Sequence, residues 1–78
     1  MTENEALKWI AELFEEPFES ITPERTKDDI PAWDSLGVLN LIAGLDEDFD
    51  IQLSDEETQE LKSVEHILLL LRKYGKII

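Results

Sequence analysis

The sequence predicts an all-α fold: a four-helix bundle with a long first loop and a short third helix. Apolar residues recur at helical spacing in three stretches, around residues 7–14, 38–49 and 64–71. Helix-start signatures stand before each of these and before a fourth, shorter stretch. No segment reads as a strand. Seventy-eight residues allow one small domain with a single modest core, so residues 1–78 are expected to fold as one unit.

Taken in order, Thr2-Glu3-Asn4-Glu5 is a capping box, with threonine covering the first turn and Glu5 reaching back. It predicts a helix from about Glu3 to Glu15 that turns Leu7, Ile10, Ala11 and Phe14 inward and ends at Pro17. Trp9 lies off that stripe. Residues 17–33 hold three prolines and no sustained period, a long connection of the kind that often carries function. Ile21, Ile30 and Trp33 are its expected anchors, and Thr22-Pro23-Glu24 can cap one short turn.

Asp34 and Ser35 are both good N-cap residues for the next helix, expected to run from Ser35 to about Asp50. Val38, Leu41, Ile42, Leu45 and Phe49 fall on one face and supply its core side. Leu36, Leu39, Asn40, Ala43, Asp46, Glu47 and Asp50 point elsewhere and mix apolar residues with acids. They either widen the core stripe or form a docking surface, and the five core-facing residues already present favour docking. Gly37 is expected to weaken this helix by roughly 1 kcal/mol relative to alanine. Ile51-Gln52-Leu53 alternates as an extended connector, and Ser54-Asp55-Glu56-Glu57 opens a short helix to about Leu61. Ser63 caps the last helix, whose inner face is Val64, Ile67, Leu68 and Leu71, with Gly75 as its C-cap.

Formal charge is −12, unevenly placed. Residues 1–60 hold 18 acids and three bases, a net of −15; residues 61–78 hold one acid and four bases, a net of +3. Such a field repels nucleic acid and anionic membranes and steers basic protein surfaces toward the acidic part. It also serves simply to keep a small domain in solution. There is no cysteine, hence no disulfide, zinc-thiolate site or cysteine nucleophile. The acidic N-terminus lacks the basic region of a secretory leader, and the apolar run Ile67 to Leu71 is too short to span a bilayer. A cytoplasmic, monomeric protein with no membrane insertion is expected.

The segment Asp34-Ser35-Leu36 at the start of an amphipathic acidic helix resembles the acyl carrier proteins. The likeness runs without a gap through Asp46-Glu47-Asp48-Phe49-Asp50, Ser54-Asp55-Glu56-Glu57 and Leu61-Lys62-Ser63-Val64, most of the chain. The resemblance implies that Ser35 carries 4′-phosphopantetheine, with Asp34 and Leu36 flanking it. It implies a phosphopantetheinyl transferase as partner, and enzymes with basic docking surfaces that use acyl groups held as thioesters in fatty-acid, lipid or specialised-metabolite biosynthesis. It also implies a carrier, not an enzyme. Leu41, Leu45, Phe49, Leu53, Leu61, Val64 and Leu68 become candidates for sheltering an acyl chain, although ordinary packing describes them equally. The chain departs from fatty-acid-synthesis carriers, which usually have apolar residues where Lys27 and Asp28 stand and glycine where Ala32 stands. Acids are frequent in the family where Gly37 and Asn40 stand.

Physical chemistry suits the implied modification, because a helix N-terminus favours a phosphate. Nothing near Ser35 activates it as a nucleophile; His66, the only histidine, belongs to another helix. Two other classes compete. One is an acidic helical interaction module with no prosthetic group. The other is a calcium loop: Asp46, Asp48, Asp50, Gln52, Ser54 and Glu57 match EF-hand positions 1, 3, 5, 7, 9 and 12, but Ile51 stands where glycine is needed.

Overall fold

The computed structural model describes residues 1–78. Its helices are Glu3–Leu13 (α1), Ser35–Phe49 (α2), Asp55–Glu60 (α3) and Val64–Lys73 (α4), and the long first loop holds two 3₁₀ turns, Phe18–Ser20 and Lys27–Asp29. The only β-type pairing is an isolated antiparallel bridge between Thr26 and Ser63.

The expected capping box opens α1: Thr2 Oγ1 accepts from the Glu5 N–H at 3.2 Å, and Glu5 Oε1 accepts from the Thr2 N–H at 2.9 Å. The helix stops at Leu13 rather than near Glu15, and Pro17 is not what stops it. Glu15 takes a left-handed conformation, φ 56°. Its N–H then reaches the Glu12 carbonyl at 3.3 Å, and that of Glu16 reaches Ala11 at 2.9 Å. This satisfies the terminal carbonyls as a glycine would, at the steric cost of a side chain in that region.

Eighteen apolar residues form the core. Ala6, Leu7, Ile10, Ala11 and Phe14 of the first helix and its cap meet Leu41 and Leu45 of α2 and Val64, Ile67, Leu68, Leu70 and Leu71 of α4. Fully burying each Leu, Ile or Phe contributes about 1.5–3 kcal/mol, which makes this layer the main source of stability. The loop anchors Ile21, Ile30 and Trp33 are buried as the sequence predicts. Trp33 stacks on Phe14, ring centroids 5.0 Å apart, although its indole N–H is enclosed without an acceptor.

Arg25 holds the loop in shape. Its guanidinium donates to the Ser20 and Asp29 carbonyls, both at 2.7 Å, and to Glu16 Oε1 at 3.2 Å. Beside it, the Lys27 N–H donates to the Lys62 carbonyl at 2.8 Å, and the Val64 N–H donates to the Arg25 carbonyl at 2.9 Å. The loop is thereby stitched to the start of α4. A second capping box, Thr26 with Asp29, sets the Lys27–Asp29 turn.

Gly37 corrects the expectation of a weak point. It is buried, and a Cβ there would land inside contact distance of the Ala32 carbonyl oxygen and 3.0 Å from its carbon. The helix needs this glycine because the loop backbone lies directly against it. Gly44 similarly faces Trp9, which packs edge-on to Phe49 and donates from Nε1 to Asp48 Oδ2 at 2.7 Å. At the far end, Gly75 at φ 72° ends α4 as predicted, with the Lys76 N–H on the Leu71 carbonyl at 2.8 Å.

Two substitutions test these backbone arguments by urea denaturation. Gly37→Ala should lower stability by about 1–3 kcal/mol through the clash with Ala32, whereas helix propensity alone predicts a gain. Glu15→Gly should raise it by about 1 kcal/mol by relieving the left-handed strain.

Candidate functional site

Asp34, and not Ser35, is the N-cap of α2. Its backbone is extended and its Oδ1 accepts from the Gly37 N–H at 2.9 Å. Its carbonyl accepts from the Val38 N–H at 2.9 Å. Ser35 becomes the first helical residue, exposed, with its hydroxyl released from capping. Of the first-turn N–H groups, those of Ser35 and Leu36 have no partner within a helix, so donors and the positive dipole end converge where a phosphate on Ser35 would sit. The donor set and the open surroundings of Oγ fit a phosphodiester, with the Asp34 carboxylate as the one opposing charge beside it.

Every residue of the sequence-predicted second face is exposed. Leu36 and Leu39 are 65% and 63% accessible, an apolar pair with Asn40 and Ala43 beside it. Asp46, Glu47 and Asp50 follow toward the C-terminal end. Asp50 adopts φ 56°, and its N–H caps back onto the Asp46 carbonyl at 3.0 Å. Asp48, absent from that expected set, belongs to a different contact as the acceptor for Trp9.

Of the candidate lining residues, Leu41, Leu45, Leu61, Val64 and Leu68 are buried and Phe49 and Leu53 half-buried, so side chains occupy the interior. An open cleft of about 430 Å³ lies one turn along from Ser35, lined by Val38 and Leu61 and by Lys27, Asp28, Thr58, Gln59 and Lys62. A second groove, of about 440 Å³, runs between α3 and α4 past Glu57, Leu61, His66, Leu69 and Lys73. His66 Nδ1 accepts from the Lys62 N–H at 3.1 Å, so this half-buried imidazole fixes the entry to α4.

The calcium-loop spacing does not form a loop. Asp46 and Asp48 lie within α2, and the Glu57 carboxylate is committed to Ser54, Lys73 and Tyr74. The Ser54 N–H, the Lys73 ammonium and the Tyr74 hydroxyl together pull the Glu57 carboxyl down from 4.5 to about 2. The same contacts raise Lys73 and Tyr74.

No protein-family model matches the sequence. Curated relatives do. The acyl carrier protein of Bdellovibrio bacteriovorus is 34% identical over 72% of this chain and 78% of its own length. That of Syntrophobacter fumaroxidans is 38% identical, covering 70% and 68%. The chain belongs to the acyl carrier protein family. Its fold agrees: a solution structure of holo acyl carrier protein from Geobacter metallireducens superposes with a TM-score of 0.79 at 34% identity, covering 96% of this chain and 87% of that one. Members of this family carry 4′-phosphopantetheine on a serine, work with acyl-handling enzymes, and are carriers rather than enzymes. The observed four-helix, strand-free architecture is the acyl carrier type of bundle that the sequence predicted. No helix is long and apolar enough to cross a membrane.

Glu57 yields a pH prediction. Because its folded-state pKa lies below the unfolded one, its contribution is fully present above about pH 4.5 and is lost as pH falls through about 2. Urea midpoints followed across that window should fall less steeply in Glu57→Gln than in the parent. Parallel curves would remove Glu57 from the acid response.

Proposed function

We propose that Ser35 is the attachment point of 4′-phosphopantetheine and that the chain carries acyl groups as thioesters on it. The observation that supports this most directly is the division of labour at the start of α2. Asp34 does the capping, so the adjoining hydroxyl is exposed and unengaged at the positive end of a fifteen-residue helix. A phosphopantetheinyl transferase would bring coenzyme A, and the Ser35 oxygen would displace 3′,5′-ADP from its diphosphate to give a phosphodiester. The resulting arm supplies a thiol, and this chain has no cysteine to compete for the acyl group.

The exposed face of α2 is the proposed docking surface. Leu36, Leu39 and Ala43 give it an apolar centre, Asn40 sits among them, and Asp34, Asp46, Glu47 and Asp50 give it negative charge. Such a face suits fast, salt-sensitive encounters with basic surfaces on the transferase and on acyl-transferring and acyl-modifying enzymes. Those enzymes would belong to fatty-acid, lipid or specialised-metabolite biosynthesis in the cytoplasm, with the carrier acting as a monomer.

The test is intact mass after incubation of the apo protein with coenzyme A and a promiscuous transferase. A gain of one phosphopantetheine is expected, absent in Ser35→Ala. That variant should keep its fold and melting temperature, since Oγ holds nothing within the chain. A parent protein that stays unmodified beside an active control would replace the carrier reading with an interaction module lacking a prosthetic group.

A further inference from the structure

The cleft below Ser35 carries a charge arrangement that folding alone does not explain. Lys27 and Lys62 stand side by side across the bridge, their backbones joined by the 2.8 Å bond from the Lys27 N–H to the Lys62 carbonyl. Both residues line the cleft, and Lys62 also borders the groove between α3 and α4. Like charges placed opposite one another destabilise a β-type pairing. The chain has 19 acids, yet neither lysine is paired with one: the three ion pairs of the structure use Arg25, Arg72 and Lys73. Asp28, on the same rim, is not within ion-pair distance of either lysine.

The remaining lining mixes apolar surface with uncharged polar groups. Val38 and Leu61 are the two apolar residues of seven. Thr58 spends its hydroxyl proton on the Ser54 carbonyl at 3.0 Å, which leaves its oxygen as an acceptor, and the Gln59 side chain brings an amide. Two ammonium groups against one carboxylate make this rim locally positive within a strongly negative molecule. Val38 is one helical turn from Ser35, which puts the cleft on the path of an arm attached there.

We propose that this cleft recognises an anionic oxygen group at the end of a short acyl chain, a carboxylate held between Lys27 and Lys62 with its methylene groups over Val38 and Leu61. The proposal rests on the carrier reading of Ser35. It makes Lys27 and Lys62 specificity-determining residues for a dicarboxylic half-thioester over an unbranched alkyl cargo. The arm's own phosphodiester offers the same anionic chemistry, and the test separates the two sources.

Isotope-labelled apo protein is loaded by a transferase from coenzyme A, succinyl-coenzyme A and pentanoyl-coenzyme A, with loading read by intact mass. Failure to load bears on the carrier reading. Once loading is shown, amide spectra decide the proposal. The succinyl form should shift the Lys27, Val38, Leu61 and Lys62 signals relative to the pentanoyl form. Those shifts should shrink at high salt and disappear in Lys27→Gln/Lys62→Gln, whose exposed side chains hold no ion pair in the fold. Equal shifts in the pentanoyl form would overturn it in favour of an apolar cargo site. Equal shifts in the unacylated holo form would overturn it in favour of the phosphodiester. No shift in any form would show that the cargo stays in solvent, and the proposal would fall.

Discussion

The Ala32 carbonyl lies so close to Gly37 that no side chain fits between them, and this contact fixes how the long loop enters α2. With the loop backbone seated on the first turn, Trp33 is carried into the core against Phe14. Asp34 is left extended at the position where its carboxylate meets the Gly37 N–H. Ser35 then follows as the first helical residue with its hydroxyl outward. A register one residue later would make Ser35 the cap and engage its oxygen with the backbone. The glycine that costs helix propensity is therefore what frees the serine. That trade, local destabilisation for a positioned functional group, is common where backbone meets a site.

The other end of the loop depends on Arg25. Its two carbonyl bonds are charge-assisted and its side chain is partly enclosed, so it contributes more than an exposed pair such as Arg72–Glu3, worth about 0–1 kcal/mol. By closing the loop from Ser20 to Asp29, Arg25 brings residues 25–27 alongside residues 62–64. The same device that orders a proline-rich connection thus puts Lys27 next to Lys62. Loop folding and cleft chemistry share one cause.

Helix existence and capping were legible because they are local. Thr2, Ser54 and Ser63 each cap the helix the sequence assigns them, and the 3.6-residue period identifies the faces of α2 and α4. What escaped depends on contacts distant in sequence or on unusual backbone angles. Glu15 is an unremarkable residue for a left-handed cap, so Pro17 looked like the stop. Gly37 reads as a propensity loss unless Ala32 is known to lie against it. The choice between Asp34 and Ser35 as cap is invisible to residue preference, which ranks them alike. The acids of the calcium-like spacing looked contiguous in sequence, but α2 runs through the first two of them, Asp46 and Asp48, and turns them apart.

Charge on this molecule works at two ranges. The excess of acids over residues 1–60 produces a field felt by approaching partners across about a Debye length, near 8 Å at physiological salt. Its sign is uniform over the exposed face of α2, where lysine is absent. Lys27 and Lys62 contribute little to that outer field because two charges cannot offset so many. At contact distance inside a cleft the balance reverses, since only groups within a few ångströms act there and two of three are cationic. A basic partner enzyme and an anionic acyl group would then be drawn to different parts of one small domain, without competing for the same side chains. Ser35, the proposed attachment point, lies between the two regions, at the head of the helix that presents one and borders the other.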